Sequence, residues 1–413
     1  MNPYTTWRFH ALDTWFFREA RPFDTIGSPE LSSHFPPPAP TVAGAVKTLI
    51  GRQAGIDWRH FKPKIEGEPR DERFALLGEL RLRGPFLCRD GEPLFAAPLF
   101  LLAKREPAAG TEKPFRQTAA EKSSELLLRR LQIGDPVKTD LGTVRLPELP
   151  AEARKIGGFK PLENAWLTAA GLKAVLDGDK PKPEDVFQAD KLFSSESRLG
   201  IGRDNRTGAA RADEGLLYQT RHVRPHDGVS LIVGVGVEGE APEFCPKPGP
   251  VRFGGEGRLA LAEAGGPDPL DALKAPEPNG DTHGLILILL TPADLDNCWR
   301  LPKSKSPQSS ERSGGKTKVW NCEIGGVELR VHSAVLGKPR REGGWHLAER
   351  KPRRVENFVP AGSSWYCTVA NMALKDAVAK LHGKQIGDGQ QLGRGLIAVG
   401  LWPRSENREG KRP

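Results

Sequence analysis

The chain has 413 residues, with 61 Lys and Arg against 52 Asp and Glu and a formal net charge of +9. That length amounts to about two to three domains and can bury a core without disulfide staples. The basic balance points to a polyanionic partner, nucleic acid ahead of a membrane surface.

The 46 glycines and 37 prolines, about a fifth of the chain, make it rich in loops and turns but short of low-complexity disorder. Five scattered cysteines (Cys88, Cys245, Cys298, Cys322 and Cys367) form no CxxC pair. Zinc ribbons and thioredoxin chemistry are therefore disfavoured, and the thiols read as buried and reduced. No signal peptide is read at the N-terminus, where Arg8, Arg18 and Arg21 interrupt the apolar residues. The apolar runs are too short to span a bilayer. The expectation is a cytoplasmic protein with no membrane partner, no cofactor and no metal.

In chain order, Trp7 to Leu12 reads as a strand, followed by a charged, aromatic loop over residues 16–23. A helix is predicted after Pro40, with Thr41 as its N-cap and Val42, Val46, Leu49 and Ile50 on one face. Leu80 and Leu82 alternate with Arg81 and Arg83 as in a half-buried strand, and a second strand covers Pro93 to Leu102. Strand–helix–strand–strand resembles three-quarters of a ferredoxin-like unit.

Between Lys104 and Asp185 the pattern changes. Helices are predicted at Thr118 to Gln132 and at Asn164 to Leu176, the latter capped by Asn164, and Gly178 to Pro183 reads as a boundary. The second half is strand-rich: Leu231 to Val237, Arg258 to Glu263, Leu285 to Leu290, Val327 to His332, Ser364 to Val369 and Leu396 to Leu401. Pro302 to Lys318, with five basic residues and one Glu, reads as a mobile loop. Asn371 is expected to cap a helix whose core face holds Leu374, Ala377, Val378 and Leu381. The tail from Arg404 reads as frayed.

Several motifs fail their chemical context. Gly234 to Gly239 matches GxGxxG after a strand, but Pro242 and Pro246 prevent the helix that would hold pyrophosphate. His222 and His226 are separated by Pro225 and share no helix face, so they read as exposed or hydrogen-bonded loop residues. Three basic, glycine-spaced segments remain. Asp388 to Gly395 lies between a helix and the last strand, where Gly393 and Gly395 let backbone approach a phosphate chain and Arg394 adds charge. The same residues suit a tight helix-to-strand turn. Arg198 to Arg224 holds six arginines against three acids, suited to bidentate phosphate contacts or to a solvated hairpin. Lys338 to Arg354 adds seven basic residues. With Phe16, Phe17 and Phe23 beside Arg18 and Arg21, the pattern suits single-stranded RNA, where aromatics stack bases and arginines hold the backbone.

The segment Leu12-Asp13-Thr14-Trp15-Phe16-Phe17-Arg18-Glu19-Ala20-Arg21-Pro22-Phe23 resembles the N-terminal signature of the third subunit of Cmr, the type III-B CRISPR effector, a RAMP-superfamily protein. Further stretches agree in order: Phe35 to Pro38 through Ala45, Arg198 to Ile201 through Tyr218, Phe253 to Arg258, Val359 to Ser363, and the closing Gly393 to Trp402. The chain departs from the family pattern at Glu19-Ala20, where an acid–glycine pair is usual.

The resemblance implies an α+β fold of two ferredoxin-like (RRM-like) domains with inserted loops and helices. They are read as residues 1–185, with a mixed insertion at about 104–185, and residues 186–413. It implies a non-catalytic subunit that binds the 5′ handle of the CRISPR RNA and meets target RNA through the complex. The large polymerase-like subunit and the backbone RNase subunit would be its neighbours. A thumb that displaces a base would lie in Lys104–Asp185 or in Arg198–Tyr218. Expected RNA contacts are Arg18, Arg21, Arg198, Arg203, Arg206, Arg258, Gly393, Arg394 and Gly395. The rival reading is a RAMP endoribonuclease that trims precursor CRISPR RNA, with His34 as general acid or base.

Overall fold

In the computed structural model the described residues are 4–20, 30–58, 77–107, 124–201, 207, 209, 217–237, 247–296, 298–312, 315–346 and 351–403. Two large sheets organise them. The strand Tyr4–Ala11 pairs antiparallel with Val229–Val237 on one side and Leu259–Ala264 on the other, and Val229–Val237 continues to Leu80–Arg89. Short strands extend both ends to make eight. The second sheet has six strands. Thr282–Leu289 lies between Ser364–Val369 and Ile397–Pro403, and Ser364–Val369 continues to Val327–Val335. Taken in chain order as first to fourth, the four strands named in each sheet lie side by side in the same spatial order, 4-1-3-2.

Period-two alternation, shifted in Leu80–Arg89 by an irregularity at residues 84–85, assigns these strands to three cores. Trp7, Phe9, Leu231, Val233, Leu80 and Leu82 face the helix Ala39–Gln53, whose Val42, Val46, Leu49 and Ile50 are buried against them. On the second sheet, Leu285, Leu287, Leu289, Trp365 and Val399 face the helix Leu374–Leu381. The opposite faces meet: Phe86, Cys88 and Ile232 share one core with Ile286, Ile288, Tyr366 and Ala398, and with the helix Ala169–Asp177. Residues 285–289 of the strand Thr282–Leu289 are apolar without interruption because both its faces are covered. The chain is thus α+β, as expected, and among the described residues strands far outnumber helices.

The eight-stranded sheet does not stop at residue 185. Val186–Gln188, Val229–Val237, Gly249–Arg252 and Leu259–Ala264 all belong to it. A split there cuts through its hydrogen bonding, because glycine and proline punctuation marks turns and not the long-range partners of the strands around them.

Several local expectations are corrected. The region 118–132 is no helix where described: Ser124–Arg130 and Gln132–Thr139 are strands. Their apolar residues pair across strands, a contact that helical spacing imitates. Ala165–Thr168 is a strand, and the following helix is capped by Thr168, whose Oγ1 accepts from the Gly171 amide at 3.0 Å. The first helix begins directly after Pro38, before Thr41. Asn371 caps no helix; it receives the Glu328 amide and donates to the Gly326 carbonyl, stapling a hairpin turn. Residues 302–318 carry a β-hairpin in their second half, Gln308–Arg312 paired with Gly315–Ile324. Residues 118–123 and the tail from Arg404 lie outside the described residues. Among the described residues no helix is long and apolar enough to cross a membrane, and no group of three or more His, Cys, Asp or Glu could hold a metal ion.

Candidate RNA interface

Of the nine residues expected at the interface, Arg21, Arg203 and Arg206 lie outside the described residues. The other six fall into three places. Arg18 sits in the N-terminal loop, whose backbone bridges to Ser33. Arg198 and Arg258 belong to a charged cluster on the flank of the first sheet. Gly393, Arg394 and Gly395 lie at the seam between the two sheets.

The flank cluster is built on the hairpin Phe193–Ile201 and Leu217–Pro225, where strand alternation turns Glu196, Arg198 and Arg224 toward the loop that carries Asp13. Arg198 Nη2 donates to Asp13 Oδ2 at 2.7 Å, and its Nε donates to Glu196 at 2.8 Å. Arg224 Nη2 donates to Asp13 Oδ1 at 2.9 Å, and its Nε donates to Glu196 at 2.6 Å. Arg258 Nη1 adds a third contact to Asp13 at 3.1 Å. Three guanidiniums thus share two carboxylates. Hydrogen bonds from Arg198 and then Arg224 hold Asp13 below the usual carboxylate range, and those from Arg224 and then Arg198 do the same for Glu196. Arg224 carried no special signal in the sequence beyond its place in a basic run.

Beneath the cluster lies His222. It is buried in a strand, its Nδ1 is 3.0 Å from Thr14 Oγ1, and its Nε2 is 3.0 Å from Thr220 Oγ1. Phe16 stacks on the ring at 5.1 Å. Desolvation, followed by the nearby Arg258 and Arg198 charges, lowers its pKa. Phe16 and Phe17 are both buried, Phe17 packing edge-on against Phe253. Neither can stack an RNA base, contrary to the sequence reading; Phe23 lies outside the described residues. An aromatic beside the cluster is supplied by Tyr218 instead. It lies across Gly200, where a Cβ would collide with its ring, and its hydroxyl is 3.1 Å from Glu256. Past Arg198, the side chains of Leu199, Ile201 and Leu217 project into solvent at 79%, 46% and 65% exposure.

The seam is organised differently. Arg394 is buried, its Nη2 donating to Glu342 Oε2 at 2.7 Å, with its guanidinium carbon 3.7 Å from the Phe358 ring centre. Arg340 approaches the other carboxylate oxygen at 2.9 Å and donates to the Pro36 carbonyl at 2.6 Å. Gly393 adopts φ 90°, and a Cβ there would strike the Gly84 carbonyl of the first sheet. Gly395, at φ 68°, would strike the Ile386 carbonyl. The glycines serve backbone-to-backbone approach, and the arginine serves a buried ion pair. The sequence reading of Arg394 as an exposed loop contact is corrected: a loop residue was taken as a surface residue, but both sheets close over this loop.

A cavity of about 610 Å³ opens beside this seam, lined by His34, Pro36, Phe86, Thr291, Arg340 and Arg394 among others. Desolvation, helped by the Arg340 charge, lowers the His34 pKa to about 3.

The family model for the CRISPR-associated protein Cas_Cmr3 matches residues 7–402, nearly the whole chain. The chain belongs to the Cas_Cmr3 family. Membership in Cas_Cmr3 bears out the resemblance carried by the ordered motifs between residues 12 and 402. Among solved structures, the chain is similar to a chain of the type III-B Cmr-beta complex bound to cognate target RNA and AMPPnP. Identity is 15% and the TM-score 0.42, over 87% of this chain and 86% of that one. A second Cmr-beta structure, bound to cognate target RNA, gives 14% identity and a TM-score of 0.43 over 87% and 86% of the two chains. A Csm3–Csm4 subcomplex of the type III-A interference complex gives 10% and 0.33 over 90% and 94%. No curated protein matches the chain.

Proposed function

We propose that this chain is a non-catalytic, RNA-holding subunit of a type III-B CRISPR effector. It binds the 5′ handle of the CRISPR RNA and bridges the large polymerase-like subunit to the backbone RNase subunit. The observation that carries this reading is the family match over residues 7–402. The flank cluster supports it chemically: three partly exposed guanidiniums converge on Asp13 where a phosphate can reach them. The 4-1-3-2 order shared by a block of four neighbouring strands in each large sheet supports the reading of two ferredoxin-like halves, each much embellished. The hairpin of Phe193–Ile201 and Leu217–Pro225 is the better candidate for a base-displacing thumb, because Leu199, Ile201 and Leu217 present apolar side chains beside the arginines.

The rival, a processing nuclease, would need His34 to move protons near neutral pH. A histidine held at about pH 3 is neutral there and a weak base.

The test is to purify the assembled complex and compare RNA with and without the handle. At least a ten-fold preference for handle-bearing RNA is expected. Equal affinities with the same steep salt dependence would overturn the reading in favour of a general binder. Metal-independent cleavage of repeat RNA that disappears in His34→Ala would overturn it in favour of the nuclease.

A further inference from the structure

The flank cluster differs from an ordinary basic patch in one respect: its arginines are already occupied. Arg198, Arg224 and Arg258 come from two strands and a loop, and all three converge on Asp13. Glu196 holds two of them a second time. Yet the side chains remain within reach of solvent, with Asp13 44% exposed and the arginines 24–43% exposed. Ion pairs at this exposure are weak and screened by salt, so another anion can replace them. Arg198 and Arg224 each spend Nε and Nη2 on the acids, and among the described residues Nη1 of each makes no hydrogen bond. A guanidinium can therefore grip a second anion through its remaining edge.

We propose that Arg198, Arg224 and Arg258 form a single seat for an RNA phosphodiester, which Asp13 and Glu196 hold assembled and partly neutralised, so that the phosphate exchanges with Asp13 when it binds. This deepens the RNA-holding reading and rests on it. The acids have two effects. They fix three flexible side chains in one place, which lowers the ordering cost when the phosphate arrives. They also compete with the phosphate, which keeps affinity for arbitrary RNA low. Tyr218 beside the cluster favours RNA over an acidic protein segment, because its ring offers a face for a neighbouring base. In this scheme Asp13 and Glu196 are positioning residues and the arginines are the contacts.

The experiment titrates the full-length chain with a fluorescent single-stranded RNA oligonucleotide across a salt series, and separately with poly-glutamate. Asp13→Asn and Glu196→Gln should each bind RNA about three- to ten-fold more tightly at low salt. Their slope of log affinity against log salt should steepen by about one, because one internal anion no longer substitutes for a counterion. Arg224→Ala should weaken binding and flatten the slope by about one. Thermal unfolding confirms that each variant is folded, and two acid variants guard against one failing to fold. If the wild type binds RNA but both acid variants and Arg224→Ala keep its affinity and slope, the seat is overturned while the RNA-holding reading stands. If the acid variants gain affinity for poly-glutamate and not for RNA, the seat belongs to a protein partner and the proposal is overturned. If the wild type binds no RNA alone or in the assembled complex, the RNA-holding reading falls and the seat with it.

Discussion

Arg394 Nη2 donates to Glu342 Oε2 at 2.7 Å, with side-chain exposures of only 7% and 4%. This pair joins the glycine-rich loop to the segment around Arg340–Glu342, and it sits where both sheets contribute backbone. Its partners make it a structural bond of the seam.

Replacing Arg394 with Glu should therefore unfold the seam before it affects RNA. The substitution leaves Glu342 buried beside a second carboxylate and removes the cation over Phe358. Losing one partner of a buried pair costs about 3–5 kcal/mol. Chemical denaturation should show a loss of that order for Arg394→Glu and a smaller one for Arg394→Met. Wild-type stability in Arg394→Glu would contradict the buried geometry.

The two glycines flanking Arg394 should be intolerant of alanine. Gly393→Ala and Gly395→Ala each combine a left-handed backbone with a Cβ driven into a carbonyl, at Gly84 and Ile386. Each should cost at least about 2 kcal/mol. Gly44 supplies the contrast. It lies exposed in the middle of the first helix with open space where a Cβ would go, so Gly44→Ala should stabilise by about 0.5–1 kcal/mol. Thermal unfolding of the three variants reads the difference.

His34 predicts a pH dependence of stability. Its pKa falls to about 3 in the folded chain, from an ordinary value of 6.5. Between those values the unfolded state binds the extra proton, so stability is complete above about pH 6.5 and declines as pH falls toward 3. Between pH 6.5 and 4 the loss should be about 2–3 kcal/mol. Denaturation midpoints measured across that range should drop for the wild type and drop less for His34→Gln.

His222 predicts a coupling between core and surface. Both of its ring nitrogens face threonine hydroxyls, Thr14 next to Asp13 and Thr220 in the hairpin. His222→Leu removes both partners and should cost about 1–3 kcal/mol. Because Thr14 adjoins Asp13, the same variant should loosen the arginine cluster, seen as faster exchange of the Arg198 and Arg224 side-chain NH signals in NMR.

Much of this was legible in the sequence, for reasons particular residues make plain. Leu80 and Leu82, Val327 to His332 and Ser364 to Val369 alternate or run apolar, and each became the expected strand because local periodicity states which faces are covered. Ordered short motifs carried the family. The helix expected at 118–132 failed because a β-pair can supply the same leucines with partners that periodicity does not see.

The sequence by itself determined an α+β chain, a basic balance, most of the core strands and membership of Cas_Cmr3. It located Arg198 and Arg258 but did not say that they share Asp13 with Arg224. It located Gly393, Arg394 and Gly395 but assigned them to solvent. Only the tertiary structure decided those points, because burial and ion pairing depend on residues such as Gly84, Glu342 and Asp13. Those partners stand 52 residues away for Glu342 and Arg394 and 185 for Asp13 and Arg198, far beyond any local pattern. A charge in a loop is free or spent according to what folds over it, and that is settled by packing.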